Sequence, residues 1–278
     1  MSMTTLVVIG SSIKGGQMQL EELTNIVNKL FYDDSSSYRV IASKQKELLA
    51  ILGANTDITK ITDKKINKYL QELIHRGNSP STINAKLAYL SKLLNYAHRT
   101  KLIQYKPYIP NRKIVAIKDK FISVTEYEQM IKYTLTTNNK ELYWVIVLGY
   151  NTGIRISNIL AIKPTDIDNG YIRVYHNKTN RPYSVPMNNA VKELMKEFTG
   201  FTLNYRQIHY RFNQMIKELN LDTRITIHTL RHTTCSRLVE QGVPLPVVQA
   251  LMNHSNINTT MRYNHLKNEQ LENAVSML

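Results

Sequence analysis

Residues Leu142 to Tyr150 are almost wholly apolar, and Asn151-Thr152-Gly153 ends the run. A helix that is apolar all round cannot face water, so other elements must enclose this one. Much of the remaining chain also has helical spacing. Thr62 precedes Asp63 and the series Ile66, Tyr69, Leu70, Leu73 and Ile74, one face of a helix. Gly77 is a stop signal, and Ser79-Pro80 reads as an N-cap with proline in the first turn. Ile83, Leu87, Leu90, Leu94 and Ala97 then continue on one face. Ser123-Val124-Thr125-Glu126 resembles another helix start. Tyr171 to Tyr175 and Tyr183 to Val185 are short β-prone runs flanking Asn177-Lys178-Thr179-Asn180, which predicts a hairpin with a polar tip. From Asn188 onward helices are separated by Gly and Pro. The expected fold class is mainly α with a small β-hairpin or sheet.

The charge is unevenly spread. The 278 residues carry 36 Lys and Arg against 21 Asp and Glu, a net +15. Residues 39–120 hold 17 Lys and Arg against 5 Asp and Glu, which is +12 of that total. A single Lys-rich helix usually just has a solvated face, but a whole block at +12 favours contact with DNA phosphates. Lys86 and Lys92 lie in this block and are candidate DNA-binding residues. Leu102 to Arg112 contains Pro107 and Pro110 and has no clear period, as a linker would. The expected organisation is a short N-terminal segment at 1–37, a helical DNA-binding domain at 38–105, a linker at 106–118 and a second domain at 119–278. The single cysteine, Cys235, excludes an intrachain disulfide or multi-Cys zinc site and fits a reducing compartment. The run Leu6 to Ile9 is too short to span a bilayer and lacks a basic flank, so neither a membrane span nor a signal peptide is expected. Gly10, Gly15 and Gly16 loosely resemble a phosphate loop, but Gly16 and Gln17 stand where Lys and Ser or Thr are needed.

Four short segments carry an unusual set of basic residues. They are Thr152-Gly153-Ile154-Arg155, Asn177-Lys178-Thr179, His228-Thr229-Leu230-Arg231-His232, and Asn253-His254 with Tyr263 beyond it. Singly, each has an ordinary structural reading: an ion-pair arginine, a solvated lysine, a capping histidine, a half-buried tyrosine. Together and in this order they resemble the tyrosine recombinase family, the phage-type integrases. The resemblance runs from about residue 55 to 267. It is strongest from Ile227 to Leu266, through His-x-x-Arg-His, Gly242-Val243-Pro244, Leu251-Met252-Asn253-His254-Ser255 and Thr259-Thr260 before Tyr263. Ser79 to Ala97 also resembles the second half of the family's core-binding domain. The implied architecture is a helical core-binding domain followed by an α+β catalytic domain with a C-terminal tail helix.

The resemblance implies a set of roles. Tyr263 would be the nucleophile, and the 3′-phosphotyrosine it forms would store the energy of the broken phosphodiester without ATP. Arg155 and Arg231 would grip the non-bridging oxygens, since a guanidinium stays charged and donates bidentately. Lys178 would protonate the departing 5′ oxygen. His228 would act as general base or orient the phosphate, and His254 would hydrogen-bond a phosphate oxygen. Basic side chains take the place often held by magnesium, so no metal and no cofactor are expected. The implied partners are double-stranded DNA, a homotetramer assembled on it, an accessory directionality factor, and no membrane. The implied location is the cytoplasm, in association with the nucleoid.

Three positions depart from the family pattern. Asn158 stands where an acidic residue is common, Thr229 where Asp is common, and Asn253 where Gly usually precedes the last histidine. Asparagine tolerates positive φ, so the last turn can survive. Among alternative readings, a type IB topoisomerase shares the chemistry but not the core-binding block. A DNA-binding protein without catalysis would not need every catalytic position filled. A basic membrane-surface protein would need a terminal amphipathic helix richer in Lys than Asn268 to Leu278. Within the recombinases, the expected role is that of a mobile-element integrase, with a chromosome-dimer resolvase as the alternative.

Overall fold

The computed structural model describes residues 18–33, 37–114, 120–175, 182–253 and 261. The chain divides into two compact units, residues 1–117 and 118–278.

The first unit is helical among its described residues. Its helices are α1 (Leu20–Tyr32), α2 (Tyr38–Leu52), α3 (Asp63–His75) and α4 (Pro80–Arg99). The Ser79 hydroxyl caps α4 by accepting from the Thr82 amide at 3.3 Å, with Pro80 in the first turn. The periodic residues Ile66, Tyr69, Leu73, Ile83, Leu87, Leu90, Leu94 and Ala97 are all buried. Ile74 departs from its period and is 36% exposed at the end of α3.

Two features differ from the organisation read from the sequence. Helix α1 lies within the stretch set apart as 1–37, yet Leu20, Leu23 and Val27 are buried in the same core as α2–α4. A polar chain ties it in: Tyr89 Oη donates to Asn28 Oδ1 at 2.9 Å, and Asn28 Nδ2 donates to Gln45 Oε1 at 2.8 Å. Residues 1–38 hold Glu21, Glu22, Asp33 and Asp34 against Lys14 and Lys29, a net −2, and Glu21 and Glu22 lie in the first turn of α1, where the helix dipole favours carboxylates. Acidity there marks a helix start and not a separate segment. The proline-containing strap after α4 is also held down. Ile103 is buried, the Tyr108 amide donates to Asp63 Oδ1 at 2.8 Å, and Asn84 exchanges two hydrogen bonds with the Arg112 backbone at 2.8 and 2.9 Å.

The second unit is built around the apolar helix, α6 (Lys140–Thr152). It packs against α5 (Val124–Thr136), the short α7 (Ile156–Ile159), α8 (Asn189–Met195), α9 (Tyr205–Glu218) and α10 (Ile227–Glu240). Helix α11 (Leu245–Met252) follows and packs on α10. Ser123 and Glu126 form the capping box that starts α5. Helices α6 and α10 come close at Gly149. A Cβ on Gly149 would lie 3.0 Å from Leu230 Cδ1 and 3.1 Å from its Cβ, so any larger residue would have to push Leu230 aside. Thr234 Oγ1 of α10 donates to the Tyr150 carbonyl at 2.9 Å across the same seam.

The sheet has the order β1-β2-β3, all antiparallel, with β1 (Ile167–Asp168), β2 (Tyr171–Tyr175) and β3 (Pro182–Pro186). The sequence reading had β2 and β3 but not the two-residue β1. Asn169 and Gly170, at φ 45° and 83°, make the tight turn that returns the chain onto β2.

Candidate active site

Arg231 sits in the first turns of α10 with 5% of its surface exposed. Its guanidinium donates from Nη1 to the Gly153 carbonyl and from Nη2 to the Met252 carbonyl. These carbonyls lie at the C-terminal ends of α6 and α11, where the helix dipoles are negative and suit a cation. Gly153 can end α6 there because it adopts φ 65°. A Cβ at that position would lie 2.5 Å from Met252 Cε.

Arg155 is the N-cap of α7, two residues past that turn. Its Nη2 donates to the Asn253 carbonyl at 3.2 Å. Its Nη1 is buried and has no hydrogen-bond partner among the described residues. Asn253 caps α11 in the left-handed region at φ 47°, as expected for asparagine standing in for glycine. Both arginines therefore converge on the last turn of α11, one on Met252 and one on Asn253.

His228 lies in the first turn of α10, three residues before Arg231, and is exposed as a residue. Its pKa is lowered to about 4, first by the crowding that strips water from the ring and then by repulsion from His232, Arg231 and Arg155. The exposure of the residue weakens the first cause and leaves the cations as the firmer one. The sequence reading gave His232 no role. Its ring stands 4.7 Å from that of His228, edge-on, as i and i+4 spacing on a helix allows. Both causes favour the neutral ring, whose free nitrogen can accept a hydrogen bond.

Of the other two departures, Thr229 has a local explanation. Thr229 completes a capping box, its Oγ1 accepting from the Thr226 amide at 2.9 Å, so a hydroxyl starts α10 where an aspartate is common. Asn158 is 4% exposed and its Nδ2 has no hydrogen-bond partner among the described residues. Cys235 is buried, and burial pushes its thiol up to about 11, so it is no nucleophile. Among the described residues no three His, Cys, Asp or Glu side chains are grouped to hold a metal ion. Lys178, His254 and Tyr263 lie outside the described residues.

Lys86 and Lys92 are both engaged within the first unit. Lys86 is paired with Glu47 Oε2 at 2.5 Å and donates to Asn78 Oδ1 at 2.8 Å, with 13% of its side chain exposed. Lys92 places its ammonium 4.1 Å from the ring centre of Tyr32 and 4.4 Å from that of Phe31. Spacing on α4 could not show either partner, because Glu47, Phe31 and Tyr32 come from α1 and α2.

A model of the phage integrase family matches residues 120–270, a stretch that contains both arginines, His228 and Tyr263. The chain belongs to that family. Its activity is that of a tyrosine recombinase, the cutting and rejoining of DNA at specific sites. Tyrosine recombinase XerC of Thermodesulfovibrio yellowstonii is 24% identical, over 88% of this chain and 91% of that protein. The Tn1549 transposon integrase in complex with a circular intermediate DNA superposes with a TM-score of 0.83 at 18% identity, over 94% of this chain and all of that one. A lambda integrase tetramer bound to a Holliday junction gives a TM-score of 0.73 at 19% identity, over 89% of this chain and 81% of that one. These structures share the mainly helical fold with its small sheet.

The lowered pKa of His228 has a consequence for stability. The folded state resists protonation that the unfolded chain accepts near the ordinary value of 6.5, so this contribution is complete above 6.5 and is lost as pH falls towards about 4. Thermal melts from pH 7 to pH 4.5 should show a smaller decline for His228→Gln than for the wild type. Parallel curves would mean that His228 titrates normally.

Proposed function

We propose that this recombinase cuts DNA with Tyr263 and serves a mobile element. The Tyr263 oxygen attacks the scissile phosphorus, and the bond to the 5′ oxygen breaks as Lys178 gives that oxygen a proton. The product is a 3′-phosphotyrosine and a free 5′ hydroxyl. A 5′ hydroxyl from the partner strand then attacks the phosphotyrosine and releases the tyrosine, so no external energy source is needed. Arg155 and Arg231 hold the non-bridging oxygens, neutral His228 takes up the phenolic proton or orients the phosphate, and His254 donates to a phosphate oxygen. The observation that carries this reading is the buried Nη1 of Arg155, which has no hydrogen-bond partner among the described residues, on a side chain that reaches the same turn of α11 as Arg231. A buried charged donor left without an acceptor is costly, and an anionic phosphate offers one.

The mobile-element role is supported by the similarity to the Tn1549 transposon integrase. The similarity to XerC supports a second reading, a resolvase acting on chromosome dimers. The working form is a homotetramer on duplex DNA, assisted by a directionality factor, in the cytoplasm with the nucleoid. Among the described residues no helix is long and apolar enough to cross a membrane. The candidate tail helix carries Leu271, Ala274, Val275 and Leu278 at helical spacing and lies outside the described residues. Docking of that stripe on a neighbouring protomer would couple the sites around the tetramer.

Incubation with a nicked suicide duplex, followed by denaturing electrophoresis, tests the chemistry. The wild type should form a covalent adduct, and Tyr263→Phe should bind the DNA yet form none. An adduct from the Phe variant would point to another nucleophile, with Tyr205 and Tyr210 first to test, both exposed on α9. Assembly has its own test. Truncation after Lys267 should leave cleavage within a few-fold of wild type while abolishing recombination. Equal loss of both activities would place the tail in the catalytic core instead.

A further inference from the structure

The small sheet has one face in the core and one in water. Ile172 and Val174 of β2 and Val185 of β3 are buried, and strand alternation sends Tyr171, Arg173 and Tyr175 outward. The register places Pro186, Ser184 and Pro182 opposite these three, and Asp168 of β1 opposite Tyr171. Water-facing positions of an antiparallel sheet are usually polar. Here Tyr171 is 51% exposed and Tyr175 is 48% exposed. Arg173 between them is exposed and makes no ion pair or hydrogen bond among the described residues. Asp168 likewise pairs with nothing there, so it leaves the arginine's charge unneutralised.

We infer that this outward face is a second DNA site, one that holds unpaired bases by stacking them on Tyr171 and Tyr175 while Arg173 meets the phosphate between. Four residue steps along the strand separate the two tyrosines by about 13 Å, with the arginine midway. At about 3.4 Å per base step a stacked strand would leave about three bases between those at the two rings, whereas a drawn-out strand brings nearer neighbours to them. A tyrosine ring stacks on the face of a base, and in a duplex that face is covered by the neighbouring base pairs. Exposed aromatic side chains with an interleaved cation on a sheet are how single strands are held. The molecule's net charge of +15 suits the ligand. The inference rests on the recombinase reading for its biological sense: strand exchange separates bases from one partner before pairing them with another. It also puts the site on the two strands that the segment carrying Lys178 joins in sequence.

The test is equilibrium binding, which needs no cleavage. A labelled oligothymidine of about 10 nucleotides and a duplex of random sequence are titrated with full-length protein in the same salt, followed by fluorescence anisotropy. Tyr171→Ala and Tyr175→Ala should each weaken single-strand binding about tenfold, and duplex affinity should stay within twofold. Tyr171→Phe and Tyr175→Phe keep the ring and should bind as the wild type does, which separates stacking from a folding defect. Arg173→Ala should weaken single-strand binding and reduce its salt dependence. Three results would overturn the inference: a wild type that ignores the oligothymidine, Ala variants that bind it normally, or equal loss of duplex affinity. A monomer–dimer equilibrium that shifts with Tyr171→Ala would instead assign the face to a second copy of the chain. The adduct assay on the same wild-type preparation reports the recombinase reading separately. A protein that forms adduct yet shows no single-strand binding overturns only the sheet site.

Discussion

The guanidinium of Arg231 joins three helices at one point. It enters from α10 and donates to carbonyls at the ends of α6 and α11, so the helix termini that face each other there are bridged by a single cation. Hydrogen bonds from a charged donor are worth about 1.5–3 kcal/mol each, about twice the neutral kind. The approach of α6 to α10 that makes this possible depends on Gly149, which has no Cβ to push Leu230 away. It depends also on Gly153, whose positive φ turns its carbonyl back towards Arg231. Catalytic geometry and core packing in this unit are therefore one problem. A change that loosens the seam displaces the arginine.

The electrostatics follow from the same arrangement. Arg155, Arg231, His228 and His232 lie close together, and Asn158 and Thr229 replace two acidic residues common in the family. The first arginine is held by the Asn253 carbonyl and the second by those of Gly153 and Met252. Backbone carbonyls neutralise less charge than carboxylates would, so the cluster stays strongly positive. Together with burial, this disfavours protonation of His228, and it suits an anionic phosphate better than a divalent cation.

Much of this was legible in the sequence because it is local. The period of α3 and α4, the Ser79 and Ser123 caps, the stop at Asn151-Thr152-Gly153 and the left-handed Asn253 all follow from neighbours within a few residues. Order and spacing of the basic segments carried the family resemblance. The missing parts are contacts between distant residues. Arg231 reads as a phosphate ligand, but nothing near it in sequence shows that it also clasps Gly153. Lys86 looks like a free cation until Glu47 of α2 is folded against it. Helix α1 was hidden by an acidic count that reflects its first turn. The short β1 is set by the Asn169-Gly170 turn and carries too few residues for any period.

The most direct measurement is the stability and reactivity of Arg231→Lys without and with DNA. Lysine keeps the charge but cannot reach two carbonyls with a planar fork. The account predicts a loss of about 2 kcal/mol, seen as a fall of several degrees in Tm for the DNA-free protein, together with loss of covalent adduct on the suicide duplex. An unchanged Tm with the adduct lost would contradict it. In that case Arg231 would be held in place by its surroundings and would serve the phosphate alone.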